Sequence, residues 1–277
     1  MKDRRERPLI SVVTAVRNGA ADIRHTIDSV LGQTYPNVEY IVVDGASADD
    51  TLAIVQSYGD RIAHVISEPD RGLYDGLSKG FARARGDILC YINAGDFFLP
   101  HALAVVAEVF ADPAIDWLVG CSMACNTRNE ITTADLSFRF RRPLIRRGSY
   151  GTGLPYIPQE SVFWRASLMA TVDHDRWTAF RLAGDYFLWW SFATKADLVV
   201  IGSPLAVFKR QPGQLSENAA GYHAELASFT EPRGPLTRLQ EFFERAMWML
   251  SPRQRARIFH SALRYDHTAG KWQWQRW

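Results

Sequence analysis

Four residues, Asn93, Ala94, Gly95 and Asp96, interrupt two apolar runs in the stretch DILCYINAGDFFLP, residues 87–100. A carboxylate beside an amide, held at the end of a β-forming run, offers oxygen ligands. Mg²⁺ and Mn²⁺ prefer oxygen and bind through one or two carboxylates together with phosphate oxygens, so Asp96 is suited to hold such a cation. Asn93 either joins that site or orders the loop through an Asx-type hydrogen bond. Asp44 follows a second β-forming run, residues 38–43. An ionised carboxylate only accepts hydrogen bonds, so it can receive an N–H of a nucleotide base; the plainer reading is a turn residue before Gly45. Asp185 opens the segment DYFLWW. By residue type alone it caps a helix over 186–193.

These residues need a scaffold, and the first hundred positions supply one by alternation. Leu9 to Val16 is β-branched and apolar, as a buried strand requires. Residues 21–33 place Ile23, Ile27, Val30 and Leu31 at helical spacing. Strands are then expected at 38–43, 62–66 and 88–92, and helices at 49–58, 73–85 and 103–110. Strand and helix alternating at this spacing predict βαβ units and a mostly parallel sheet. In such sheets ligands sit beyond the carboxyl ends of the strands. Arg17 and Asn18, Asp44, Glu68 and Asp70, and Asn93 and Asp96 all follow strand ends, so polar groups converge on one edge. Neither G-x-G-x-x-G nor a G-x-x-x-x-G-K-[ST] loop follows the first strand, so a phosphate is not cradled by glycines there.

The bulk numbers bound the rest. A chain of 277 residues, 47% hydrophobic and 22% charged, can bury a large core. A net charge of +2 gives no support to nucleic-acid binding. Three cysteines, Cys90, Cys121 and Cys125, form neither a disulfide framework nor a zinc pattern, and are expected as reduced thiols in a reducing compartment. No run of 18 apolar residues occurs, and no apolar segment of secretory length follows the charged start, so the expected place is the cytoplasm.

The runs SVVTAVRNGAADIRHTIDSVLGQTYPNVEYIVVDGASADDT and SEPDRGLYDGLSKGFARARGDILCYINAGD resemble family 2 glycosyltransferases of the GT-A fold, with looser likeness to about residue 215. The resemblance implies an α/β fold of the GT-A, Rossmann-like type, with a mostly parallel sheet flanked by helices. It also implies inverting transfer of a hexosyl or N-acetylhexosaminyl group from a nucleotide-diphospho-sugar, a UDP-sugar in first place, in bacterial surface-polysaccharide synthesis. Residue by residue, Thr14, Ala15 and Arg17 would edge the nucleotide pocket, Asp44 would meet the base, and Asp75 and Lys79 of YDGLSKG would border the donor. Lys79 reads equally well as a solvated helix residue. Asn93 to Asp96 matches the family's Asp-x-Asp-type motif for a divalent metal, Mn or Mg, with Gly95 where many relatives carry a second acid. Asp185 falls at the position of the catalytic base, and its large apolar neighbours would raise its pKa toward the working range. Pro158 in YIPQESVFWR and Gln211 in FKRQPGQLS stand where histidine is common.

The sequence divides into a GT-A domain, residues 8–220, and a C-terminal extension, 221–277, read as helical, basic and aromatic. From Pro232 onward it carries nine basic and three acidic residues and four tryptophans. Leu236, Leu239, Phe242, Phe243, Met247 and Leu250 recur at near-helical spacing, which suits either an anionic membrane surface at the inner face of the cell membrane or packing against the main domain. The five arginines of RFRRPLIRR, residues 139–147, face either an anionic acceptor or solvent. The acceptor would be a glycan or a lipid-linked saccharide. A processive synthase is not expected, because no membrane-spanning helix is expected and RQPGQLS occupies the region where that class would carry Gln-x-x-Arg-Trp. The rival reading is an inactive homologue that binds nucleotide or a partner, suggested by Gly95 and the missing histidine.

Overall fold

The computed structural model describes residues 7–135, 139–251, 254 and 262–274. The first part is the expected alternation: β1 (Ile10–Val16), α1 (Ile23–Leu31), β2 (Val38–Asp44), α2 (Thr51–Gln56), β3 (His64–Ser67), α3 (Leu73–Phe81) and β4 (Ile88–Tyr91). There follow β5 (Phe97–Phe98), α4 (Ala102–Val109), β6 (Trp117–Cys125), β7 (Ile131–Asp135), α5 (Arg142–Arg146) and β8 (Val162–Arg165). The chain continues through α6 (His174–Ala179), α7 (Gly184–Phe192), β9 (Val199–Pro204), β10 (Ala206–Lys209), α8 (Ala219–Ala227) and α9 (Pro235–Met249), then β11 (Ala262–Asp266) and β12 (Lys271–Trp274).

The main sheet runs β12-β11-β9-β6-β8-β4-β1-β2-β3. β1 pairs parallel with β2 and β4, and β2 pairs parallel with β3. β8 runs antiparallel to both its neighbours, β4 and β6. All seven residues of β1 are buried, as expected of a parallel strand covered on both faces. α1 buries Ile23, Thr26, Ile27 and Val30, one stripe at helical spacing, against that sheet. α3 lies close over β1 because Gly80 carries no side chain; a Cβ there would collide with Val13 Cγ1. Beyond β4, the core is aromatic: Trp117 stacks on Trp189 at 5.9 Å between ring centres, and Trp164 meets Trp189 edge-on at 5.8 Å.

The extension differs from a purely helical one. It holds α9 as expected, but β11 and β12 form a hairpin that adds to the sheet, β11 pairing parallel with β9. The arginine run explains how α9 is held. Glu244 of α9 is 1% exposed and receives Arg139 Nη2 at 2.6 Å and Arg141 Nη1 at 3.3 Å. Ser149 Oγ donates to Glu241 at 2.6 Å. Arg142 donates to the carbonyls of Ala193 and Thr194, while Arg146 lies 3.7 Å over the Trp190 ring and donates to its carbonyl. Arg147 Nη1 donates to Pro143 O at 3.3 Å, so all five arginines of the run bind groups of this chain.

Candidate active site

The carboxyl ends of β1 and β4, the turn after β4, the start of α7 and the loop after β10 enclose a cavity of about 1300 Å³. Its floor is the Asn93–Asp96 turn. Gly95 there has φ +105°, a conformation that disfavours any residue with a Cβ. Thr26 of α1 fixes the turn twice: its Oγ1 accepts from Gly95 N at 2.9 Å and donates to Asp96 O at 2.8 Å. Gly95 is thus what this turn requires, and a second acid in its place would be strained.

The turn leaves two oxygens without partners. Asp96 Oδ1 accepts from Lys209 N at 2.9 Å, but its buried Oδ2 has no hydrogen-bond partner. Asn93 Nδ2 donates to Gln159 Oε1 at 2.9 Å, and Gln159 in turn donates to Tyr91 O, yet Asn93 Oδ1 is also buried and unsatisfied. Buried polar atoms are rarely left unpaired, so these two are the natural seat for something not present in the folded chain alone. Burial pushes the Asp96 carboxyl up to about 7, against the lowering effect of the Lys209 N–H and the Asn93 side chain. Glu160, on the same wall and 5% exposed, is pushed up to about 8, first by burial and then by the charge of Asp96. Unpaired oxygens from a carboxylate and an amide fit Mg²⁺ or Mn²⁺. Among the described residues no cluster of three His, Cys, Asp or Glu forms a ready-made cage. Such an ion would need ligands from the bound substrate as well.

Asp185 faces the cavity from the first turn of α7. Its Oδ1 accepts from Tyr186 N at 2.6 Å and from the Tyr222 hydroxyl at 3.4 Å. The chain entering the helix is gathered by another residue: Glu225 of α8 accepts from the N–H groups of Arg181, Leu182 and Ala183, at 2.8 to 3.3 Å. With Glu225 in that role, Asp185 is turned to the cavity. Burial raises its carboxyl to about 7, partly offset by the Tyr186 N–H and the Tyr222 hydroxyl. A carboxylate poised near neutrality can take a proton from a hydroxyl.

Ala15, Arg17, Asn93, Asp96 and Asp185 all line this cavity. Four other expected residues are not on its wall. Thr14 is buried, accepting from the Tyr40 hydroxyl at 3.1 Å. Asp44 is fully buried in its own turn, accepting from Ser47 N and from Ser67 Oγ at 2.7 Å. Asp75 pairs with Arg71 at 2.7 Å, and Lys79 pairs with Glu68 at 2.9 Å and donates to Pro69 O. α3 points both of these away from the cavity toward its own leading loop. Asp70 lines the cavity instead, packed so tightly on Gly45 that any side chain at 45 would collide with it. Tyr222 and Glu225 were not legible as site residues, because nothing local in the sequence of α8 marks them. They lie beyond residue 220 and yet contact the start of α7. The late loop is pinned by Asp22, which receives Lys209 Nζ at 2.7 Å and Gln211 Nε2 at 3.1 Å.

Residues 11–170, more than half of the chain, match the family described as Glycosyl transferase family 2. An uncharacterized glycosyltransferase of Mycobacterium tuberculosis is 30% identical over 168 residues, covering 60% of this chain and 62% of that one. An uncharacterized glycosyltransferase of Rickettsia typhi is 37% identical over 103 residues, 37% of this chain and 32% of its own. The matches thus span less than two thirds of these relatives. Among solved structures, Staphylococcus aureus TarS 1–349 in complex with UDP-GlcNAc gives a TM-score of 0.57 at 16% identity, covering 91% of this chain and 70% of that one. The mannosyltransferase PcManGT from Pyrobaculum calidifontis, in complex with GDP-Man and Mn²⁺, gives 0.57 at 18%, covering 90% and 72%. At these identities the likeness is one of fold, and it is the GT-A arrangement.

Proposed function

The chain belongs to glycosyl transferase family 2, and on that premise we propose that it moves a sugar from a nucleotide-diphospho-sugar to an acceptor hydroxyl, with inversion and one sugar per encounter. The observation that carries the reading is the shared cavity: a carboxylate raised toward neutrality, Asp185, faces the same space as the two unsatisfied oxygens of Asn93 and Asp96. Two neighbours of the fold bear on the donor, one bound to UDP-GlcNAc and one to GDP-Man with Mn²⁺. A UDP-sugar is the first candidate. The acceptor is a glycan or a lipid-linked saccharide, as in surface-polysaccharide synthesis. The setting is the cytoplasm or the inner face of the cell membrane. Among the described residues no helix is long and apolar enough to cross a bilayer, so contact would be with its surface.

In this mechanism Asp185 accepts the proton as the acceptor O–H bond breaks. The acceptor oxygen bonds to the anomeric carbon, and the bond from that carbon to the diphosphate oxygen breaks on the opposite face. Ala15 and Arg17 border the donor, with Arg17 and Arg210 adding positive charge to the same cavity. Asp96 and the Asn93 amide oxygen would hold a divalent cation, Mn or Mg, which supplies neutralising charge for a diphosphate. Asp44 acts from behind the wall: it orders Ser47, whose hydroxyl accepts from Asn18 N at 2.8 Å, and Asn18 lines the cavity. Thr14, Asp75 and Lys79 likewise support the pocket rather than touch the donor. Residues 8–220 carry the donor site, and the extension from 221 completes it through Tyr222 and Glu225.

The test is thermal stabilisation by UDP-, GDP-, dTDP- and CDP-sugars, with and without Mn²⁺, for wild type and Asp96→Ala. A ligand at 100 times its dissociation constant adds about 2.7 kcal/mol. The reading expects one nucleotide class to stabilise wild type with metal, and Asp96→Ala to lose that effect while melting normally without ligand. If no nucleotide shifts the melt under any condition, the reading fails.

A further inference from the structure

α9 is amphipathic in the opposite sense to a core-facing helix. Its inward side is polar: Thr237 and Glu244 are buried, and Glu241 accepts from Ser149. Its outward side is apolar: Leu236, Leu239, Phe242, Phe243 and Met249 are between 51% and 83% exposed, with exposed Ala246 among them. At 100° per residue these six fall on one arc of about 140°. Arg238 and Arg245, both exposed, border that arc on one side. The carboxylates of α9 are turned inward and engaged by Ser149, Arg139 and Arg141, so the charge bordering the apolar arc is positive.

Exposed phenylalanines and leucines on a soluble chain mark a contact surface. Two features choose among occupants. The arc is bordered by arginine and carries no outward carboxylate, which is complementary to an anionic surface and repels its own copy. The arc also follows a single helix axis, which suits shallow insertion at a lipid interface better than a shaped protein groove. We propose that this face of α9 docks the protein onto an anionic lipid bilayer, with the aromatic and aliphatic side chains entering the headgroup boundary and the arginines meeting lipid phosphates.

The placement of α9 gives the docking a consequence. Arg245 Nη2 donates to Gly153 O at 2.7 Å, and Trp248 lines the cavity. Tyr156, a cavity-lining residue in the same segment as Gly153, is half exposed and meets Tyr222 edge-on, 5.9 Å between ring centres, and the Tyr222 hydroxyl reaches Asp185. A bilayer under α9 therefore lies beside the Asp185 side of the cavity, where a membrane-anchored acceptor could present its hydroxyl. This last step rests on the transfer reading; the docking does not.

The test uses the full chain and vesicles of pure phosphatidylcholine or of phosphatidylcholine with 30 mol% phosphatidylglycerol, read by co-sedimentation without any nucleotide. Wild type is expected to sediment with the anionic vesicles. Phe242→Ser/Phe243→Ser should weaken partitioning roughly tenfold or more, since two apolar side chains no longer leave water. Arg238→Gln/Arg245→Gln should weaken it on anionic vesicles only, with a flatter salt dependence. Circular dichroism and nucleotide-sugar stabilisation should match wild type in the Phe242→Ser/Phe243→Ser variant, which separates this proposal from the donor reading. Absence of wild-type binding to anionic vesicles, or equal binding by the Phe variant, overturns the proposal. So does a wild-type dimer by light scattering that the Phe variant converts to monomer, which would make this face an interface between copies.

Discussion

Replacing Glu160 by Gln should stabilise the protein as the pH rises, and the size follows from where Glu160 sits. The side chain is 5% exposed on the cavity wall, and burial with the nearby Asp96 charge moves it from an ordinary 4.5 to about 8. A carboxyl whose folded value lies above its unfolded value is protonated in the fold while the unfolded chain has already lost its proton. Its contribution is fully present below about pH 4.5 and is lost as pH climbs through about 8. Linkage gives a cost at pH 7 of about 3 kcal/mol, against less than about 1 kcal/mol at pH 5. A glutamine carries no proton to lose. Its own packing offset is the same at every pH, so the difference between variant and wild type isolates the titration. That difference should move by about 2 kcal/mol in favour of Glu160→Gln between pH 5 and pH 7, a melting shift of roughly 4–8 °C for a chain of this size. The assay is a melting series in EDTA, because a cation near Asp96 would change the field on Glu160. Asp96 and Asp185 push wild type in the same direction but are present in both proteins. Parallel melting curves for the two proteins across pH 5–8 would show that Glu160 is ionised in the fold, and would refute the electrostatic description of this wall.

Two further outcomes follow from neighbouring contacts. Tyr222→Phe removes a hydroxyl that lowers the Asp185 carboxyl, so the rising limb of the kcat–pH profile, expected near 7, should move to higher pH while the donor KM stays unchanged; an unmoved profile would remove Tyr222 from the site. Glu244→Ala takes the shared buried carboxylate from Arg139 and Arg141 and should cost about 3 kcal/mol in urea unfolding; a loss below about 1 kcal/mol would mean that α9 is held by its other contacts.

How much of this was written locally in the chain depends on which forces set each element. β1, β2 and β4 were legible because a parallel strand buried on both faces must be a continuous apolar run, and residues 10–16 and 88–91 are that. The sequence pattern carries α3 to Arg85, but the helix ends at Phe81, since Arg85 N and Nε are instead drawn to Glu39 at 2.7 and 2.8 Å, a partner far away in sequence. The polar edge of the sheet was legible, as were Asp96 and Asn93 on it. Asp44, Asp75 and Lys79 were not placed by that logic, because the direction of a side chain depends on Ser67, Arg71 and Glu68. The periodicity of 236–250 identified a helix but not its orientation. Apolar residues ordinarily face inward, and here the Arg139–Glu244–Arg141 bridge turns the polar side in. The β11–β12 hairpin is not legible locally, because β11 is held by pairing with β9, a strand about sixty residues earlier in the chain.

The most direct test of the central claim is Asp185→Asn, an isosteric change that keeps the shape of the site and removes the base. Donor affinity is to be measured by calorimetry with the nucleotide-sugar that stabilises wild type, and turnover by nucleoside-diphosphate release in the presence of acceptor. The account predicts donor affinity within about threefold of wild type and turnover reduced by roughly 10²–10⁴, the contribution of a positioned general base. Turnover within a fewfold of wild type, with binding intact, would contradict it and place the base elsewhere in the cavity.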